Sequence, residues 1–259
     1  MKLFFRKYGE GRPIIILHGL FGQSDNWNSL AKQFSEQGLL VYTVDQRNHG
    51  LSPHDAHWNY SLMADDLMEL IESENLNNPI IIGHSMGGKT CMFFEYKYRG
   101  LASKLIVVDI SPRKYESRNF EVVEALNRID LHKIQSRKEA ENILTSSGLD
   151  FGTRQFLLKN LFRNESPLYN ESLFGWRFNL PVITSQFKNV GEEVPDFSSE
   201  TPVLFLRGDR SDYINDEDIQ LIKQRFLRSE VKTIQGSGHW IHAEQPGLFF
   251  DAVMSFLSQ

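Results

Sequence analysis

The chain has 259 residues, with 28 Lys and Arg against 33 Asp and Glu, 41% hydrophobic residues and 12% aromatics. That profile suits a globular chain large enough to bury a core unaided, and it excludes a disordered or fibrous protein. A net charge of −5 without blocks of like charge argues against a nucleic-acid groove or a polybasic membrane surface, and the single Cys91 excludes an intrachain disulfide and a Cys-rich zinc site.

No apolar run approaches the roughly 18 residues that a membrane span needs. The apolar stretch Leu3-Phe4-Phe5 is too short for a signal-peptide core, so a cytoplasmic protein is expected. Leu3 to Tyr8 alternates as an edge strand does, and Ile14-Ile15-Ile16-Leu17 is the continuous apolar run of a strand buried on both faces. Trp27 to Gln37 reads as a helix and Leu39 to Val44 as a second buried strand. Met63, Leu67, Leu70 and Ile71 recur at i, i+4, i+7 and i+8, a helical face for which Ser61 is the expected N-cap. A strand at Pro79 to Ile82, a helix at Gly87 to Tyr98 and a strand at Leu105 to Val108 follow.

The alternation stops after Asp109. From Arg113 to about Ser199 there are helical patterns, such as Phe120 to Ile129 and Arg137 to Leu144, but no buried-strand run. It resumes with a strand at Val203 to Leu206, a helix at Asp216 to Phe226, a weaker strand at Val231 to Ile234 and a helix at Leu248 to Leu257. Strands alternating with helices of this length imply right-handed β-α-β units and a mostly parallel α/β sheet of about seven strands. Residues 1–112 and 200–259 are therefore expected to form the core, and 113–199 an inserted helical cap.

The strand Pro79 to Ile82 runs into Gly83-His84-Ser85-Met86-Gly87-Gly88 and then a helix, which is G-x-S-x-G in a strand–turn–helix context. A nucleophilic serine on so sharp a turn needs small neighbours, because larger ones would collide across it. Such a serine also needs donors for a developing oxyanion. The Met86 N–H at the following helix start supplies one, and the N–H of Leu20, after the strand ending in His18-Gly19, is the candidate for the second.

Of eight histidines, His239 and His242 lie in the loop after the last strand, which opens on the same sheet edge as the serine turn. His239 is the expected base, since Gly238 permits close approach and Trp240 can wall the imidazole from water. His242 reads as a helix-start residue, and His18 and His84 as structural parts of their turns. The spacing of His54 and His57 is loosely metal-like, but without a third ligand they read as a surface loop, and no metal or cofactor is expected. Asp109 is a lone carboxylate closing an apolar strand, so it needs a partner. Asp209 and Asp212 remain rival acids, or caps for the helix near Asp216.

His18-Gly19-Leu20-Phe21-Gly22, Asp45-Gln46-Arg47-Asn48-His49-Gly50-Leu51-Ser52, Gly83-His84-Ser85-Met86-Gly87-Gly88 and Gly238-His239-Trp240 together resemble the α/β-hydrolase superfamily. Val107-Val108-Asp109-Ile110-Ser111-Pro112, with Trp176-Arg177-Phe178-Asn179-Leu180-Pro181-Val182, is similar to the YbfF-type esterases. The resemblance implies a sheet flanked by helices, one N-terminal strand short of the usual eight, a cap after the sixth family strand, and hydrolysis of carboxylic esters or acyl thioesters. In the wider superfamily the acid follows the next strand, where this chain has Ser211; YbfF-type sequences are similar to this one in carrying the aspartate at Asp109 instead. The Asp45 to Ser52 stretch resembles a structural loop tied by Asp45 and Arg47.

The expected constellation is thus Ser85 as nucleophile, His239 as base, Asp109 as orienting acid and Leu20 and Met86 as oxyanion donors. Phe21, Trp176 and Trp240 are expected at a small-molecule ester or thioester substrate. The insertion is rich in aromatics (Phe151, Phe156, Phe162, Tyr169, Phe174, Trp176, Phe178 and Phe187), most forming its own core and some an apolar pocket. Arg154, Lys159, Arg163 and Arg177 are either solvated charges or partners for a substrate anion. Rival functions are a cofactor-independent lyase or acyltransferase using the same residues, and a non-catalytic small-ligand receptor. A dehalogenase or epoxide hydrolase is disfavoured, because those place a carboxylate where Ser85 stands.

Overall fold

The computed structural model describes residues 1–116, 120–164 and 172–259. The first strands are β1 (Phe5–Tyr8), β2 (Arg12–Leu17), β3 (Leu39–Val44), β4 (Ile80–His84) and β5 (Lys104–Val108). With β8 (Val203–Gly208) and β9 (Ser229–Ile234) they form a seven-stranded sheet in the order β1-β3-β2-β4-β5-β8-β9. Only β1 runs antiparallel to its neighbour within that sheet. The chain starts in the middle at β2, winds one way to β3 and the other way to β4, β5, β8 and β9. A crevice is left at the carboxyl ends where the direction reverses, between β2 and β4.

The period-two alternation of each strand sorts its side chains into two cores. Ile15, Leu17, Ile81, Val107 and Phe205 face α2 (Tyr60–Ser73), α3 (Met86–Lys97) and α8 (Asp216–Arg225). Ile14, Ile16, Ile82, Ile106 and Leu206 face α1 (Asn28–Ser35) and α10 (Pro246–Leu257) on the other side. Strands apolar on both faces therefore sit at the centre, and the half-polar Phe5–Tyr8 and Ser229–Ile234 lie at the edges. The α2 helix starts two residues earlier than expected: Asn59, in extended backbone, is the N-cap and accepts from the Leu62 N–H at 2.9 Å. Ser61 instead accepts from Lys97 Nζ.

Between β5 and β8 lie α4 (Phe120–Asn127), α5 (Arg137–Ser146), α6 (Phe151–Leu158) and α7 (Leu180–Ser185). A small antiparallel pair, β6 (Leu161–Arg163) with β7 (Phe174–Trp176), adds two short strands to an interval whose sequence shows no buried-strand run. Its strands are three residues each, too short to leave a buried apolar run in the sequence. Tyr169, counted above among the cap aromatics, lies outside the described residues.

The two ends of this interval are tied together. Val194 N–H donates to Pro112 O at 2.9 Å and Tyr115 N–H to Gly191 O at 2.8 Å. Lys89, fully buried on α3, donates from Nζ to Pro112 O, Arg113 O and Glu192 O at 3.1, 2.6 and 2.7 Å. A buried amine costs several kcal/mol unless its protons are used, and here all three find carbonyls. Among the described residues no helix is long and apolar enough to cross a membrane.

Asp45 and Arg47 anchor the loop after β3. Asp45 accepts from Leu51 N–H at 2.8 Å, and Arg47 pairs with Asp66 on α2 at 2.5 and 2.8 Å, both side chains buried. Removing one partner of such a pair leaves the other desolvated, so Asp66→Ala is expected to cost about 3–5 kcal/mol in urea unfolding. Asp25→Ala, which breaks the exposed pair with Arg6, is expected to cost under about 1 kcal/mol in the same assay.

Candidate active site

Ser85 connects β4 to α3 with φ 52° and ψ −115°, a left-handed backbone that a side chain rarely adopts. The turn closes only because its flanks are glycine. A Cβ on Gly83 would lie 2.1 Å from Gly87 O, and one on Gly87 would lie 2.4 Å from Leu17 O on the neighbouring strand. Met86 is the first helical residue, so its N–H has no partner within the helix. Leu20 follows β2, the strand beside β4, and lines the same cavities as Ser85.

Asp109 directly follows β5, also in left-handed backbone at φ 52°, and is wholly inaccessible to solvent. Its Oδ2 accepts from His239 Nδ1 at 2.7 Å and from the Ser211 hydroxyl, and its Oδ1 accepts from the Gly208 N–H at 3.1 Å. With Nδ1–H committed to the carboxylate, the other nitrogen of His239 is left as the acceptor. The His239 carbonyl accepts from His84 Nε2 at 2.8 Å, which ties the histidine loop to the residue just before Ser85. The ring of Tyr213 stacks on that of His239 at 3.9 Å.

A cavity of about 360 Å³ opens over Ser85 and His239, walled by Phe21, Val122, Phe156, Leu157 and Trp240. A second of about 50 Å³ adjoins Ser85 on the side of Met86, Tyr60 and Phe187.

A strained serine, a histidine held by a buried aspartate and free backbone donors at the sheet's crevice accord with the family to which the sequence matches, described as alpha/beta hydrolase fold, over residues 12–246. The chain belongs to the α/β-hydrolases. It is 34% identical to esterase YbfF of Escherichia coli, covering 95% of this chain and 93% of that one. It is 35% identical to the sn-1-specific diacylglycerol lipase ABHD11 of Danio rerio, covering 96% and 79%. Among solved structures, a marine microorganism esterase superposes with a TM-score of 0.94 at 43% identity, over 99% of both chains.

In this hydrolase, Ser85, His239, Asp109, Leu20, Phe21 and Trp240 converge on one region, as the sequence positions suggest. Of the rival acids, Asp209 accepts from Ser237 N–H at 3.0 Å and braces the histidine loop, and Asp212 sits exposed. Trp176, expected at the substrate, is instead absent from the cavity wall: β7 turns it into the hydrophobic core, stacked on Phe178 at 5.0 Å. Phe178 in turn meets Phe21 edge-on at 4.9 Å.

Trp240 packs on Phe156 of α6, and the ring stacked on the imidazole is that of Tyr213. The sequence marks Tyr213 only by its place two residues after Ser211, which itself hydrogen-bonds Asp109. None of Arg154, Lys159, Arg163 and Arg177 lines the large cavity; Arg154 binds Leu149 O and Arg177 lies over the Phe162 ring. His54 and His57 are exposed, and no group of three His, Cys, Asp or Glu among the described residues could hold a metal ion.

Four other histidines are packed as neutral rings. His18 accepts from Gln46 N–H at Nε2, so Nδ1 donates to Gly19 O at 2.8 Å, and burial lowers its pKa to about 4. Burial likewise lowers His49 and His242 to about 3, and drives His84 well below the ordinary value. Each binds a proton in the unfolded chain near pH 6.5 but not in the native state until much lower pH, so stability falls as pH drops from 6.5 towards 4. His18 alone accounts for about 3 kcal/mol of that loss. Urea midpoints measured between pH 7.5 and 4.5 are expected to decline steeply, and His18→Gln to flatten the decline.

Proposed function

We infer that this α/β-hydrolase cleaves carboxylic esters or acyl thioesters of small molecules through a covalent acyl-enzyme, with Ser85, His239 and Asp109 as its catalytic residues. The single observation that carries the reading is the 2.7 Å bond from His239 Nδ1 to a buried, otherwise satisfied Asp109, beside a strained serine on the same cavity. Both the esterase and the lipase it resembles are named for breaking carboxylic ester bonds.

Substrate enters beneath the segment 113–199, which acts as the cap. Ser85 Oγ bonds to the carbonyl carbon while its proton passes to His239 Nε2. The resulting imidazolium is stabilised by the Asp109 carboxylate, and the oxyanion by the N–H groups of Leu20 and Met86. The bond to the leaving oxygen or sulfur then breaks, and that atom takes the proton from His239. Water attacks the acyl-enzyme with His239 as base, releasing the acid and restoring the Ser85 hydroxyl. Every step uses groups of the chain and water alone.

Fluorophosphonate labelling is expected for the native protein and absent for Ser85→Ala, together with turnover of p-nitrophenyl esters. Asp109→Asn is expected to lower kcat by about 10⁴, as loss of the correct histidine tautomer does elsewhere, while Asp209→Asn and Asp212→Asn stay within a few-fold of native. Labelling without ester turnover would transfer the site to an acyltransferase or lyase, and absence of Ser85-dependent labelling to a receptor.

A further inference from the structure

The two cavities meet at Ser85, and the chemistry assigned to that residue fixes which half of an ester goes into which. The leaving atom must be within reach of His239, because His239 returns the proton to it. His239 lines the 360 Å³ cavity and is absent from the walls of the 50 Å³ one. The oxyanion points at the N–H groups of Leu20, a residue that borders both cavities, and of Met86, which borders the small one and not the large one. A tetrahedral carbon bonded to Oγ, with one substituent towards His239 and one towards these donors, directs its remaining substituent into the small cavity.

We propose, resting on the Ser85–His239 reading, that the acyl group is held in the small pocket formed by Tyr60, Ile110, Phe187 and Val190, and that the large cavity takes the alcohol or thiol. At about 50 Å³ against about 360 Å³, the small pocket is the one matched to a short acyl group. The enzyme is therefore selective for short acyl groups, from acetyl to butyryl, and tolerant of bulky apolar leaving groups.

The walls of the small pocket are braced against expansion. Tyr60 OH donates to Val190 O at 2.8 Å, and Asn189 Nδ2 to Trp58 O at 2.7 Å. Tyr115 is fixed at three points: its OH donates to Tyr213 O, its hydroxyl oxygen accepts from Ser111 N–H, and its backbone N–H donates to Gly191 O. Lys89 pins Glu192 and Pro112 at the back. A longer chain has to break buried hydrogen bonds to enter, whereas the large cavity is bounded on the cap side by the apolar side chains of Phe156 and Leu157.

The test is a pair of ester series. One lengthens the acyl group of p-nitrophenyl esters from acetyl to octanoyl; the other keeps acetyl and enlarges a phenol leaving group of nearly constant acidity from phenyl to 2-naphthyl and 4-biphenylyl. In the native protein kcat/KM is expected to fall about tenfold for each of the first methylenes beyond butyryl, the discrimination one unaccommodated methylene gives. The acetate series is expected to change less than tenfold throughout. Phe187→Ala, and the milder Val190→Ala in case the first fails to fold, should move the acyl optimum to longer chains without altering the alcohol series. Phe156→Ala should do the reverse. Ser85-dependent turnover that favours octanoyl, or an acyl optimum moved by Phe156→Ala and not by Phe187→Ala or Val190→Ala, overturns the assignment of the pockets alone. Ester turnover that survives Ser85→Ala overturns the underlying catalytic reading, and the assignment with it.

Discussion

A carboxylate with no access to water is the constraint around which the carboxyl edge of the sheet is organised. Asp109 could not be carried into that position unless its oxygens were satisfied, since burying an unpaired charge costs far more than a domain's net stability allows. Its donors come from the end of β8, from the turn after it and from the loop after β9. One side chain thereby fixes the spacing of three successive segments, and the imidazole is held as a by-product of satisfying the acid. The Ser211 hydroxyl, in the turn after β8, donates to the same carboxylate oxygen as His239 Nδ1.

The reversal of winding direction at β2 and β4 does the remaining assembly. It makes the Leu20 loop and the Ser85 turn neighbours although 65 residues of sequence separate them, and it leaves both at the mouth of a crevice. His84 then links that mouth to the histidine loop through the His239 carbonyl. Two residues in left-handed backbone, Ser85 and Asp109, face the same region. Strain of this kind persists only where surrounding contacts over-determine it, and here the close glycines and the hydrogen bonds of Asp109 do so.

Much of this was legible in the sequence because its causes are local. Continuous apolar runs such as Ile14 to Leu17 and Leu105 to Val108 can only be strands covered on both faces, and G-x-S-x-G between a strand and a helix constrains its own backbone. What was not legible depends on which surface a side chain meets after folding. Trp176 and Phe156 look equivalent as aromatics of the insertion, yet the short hairpin turns the first into the cap's interior while α6 presents the second to the cavity. Tyr213 carries no pattern at all; its position on the imidazole follows from the turn set by Ser211. The N-cap of α2 passed from Ser61 to Asn59 because both residue types cap well and only the chain path decides between them.

The pairing of Pro112 with Val194 and of Tyr115 with Gly191, under the shared grip of Lys89, brings the two chain ends of the inserted segment to one place. An excursion that leaves and returns at a single anchor puts no tension on the strands to either side of it. Its length and content are uncoupled from the scaffold, much as a cassette is from the deck that holds it. Such a chain is free to exchange one roof for another over evolutionary time while the machinery underneath keeps its geometry.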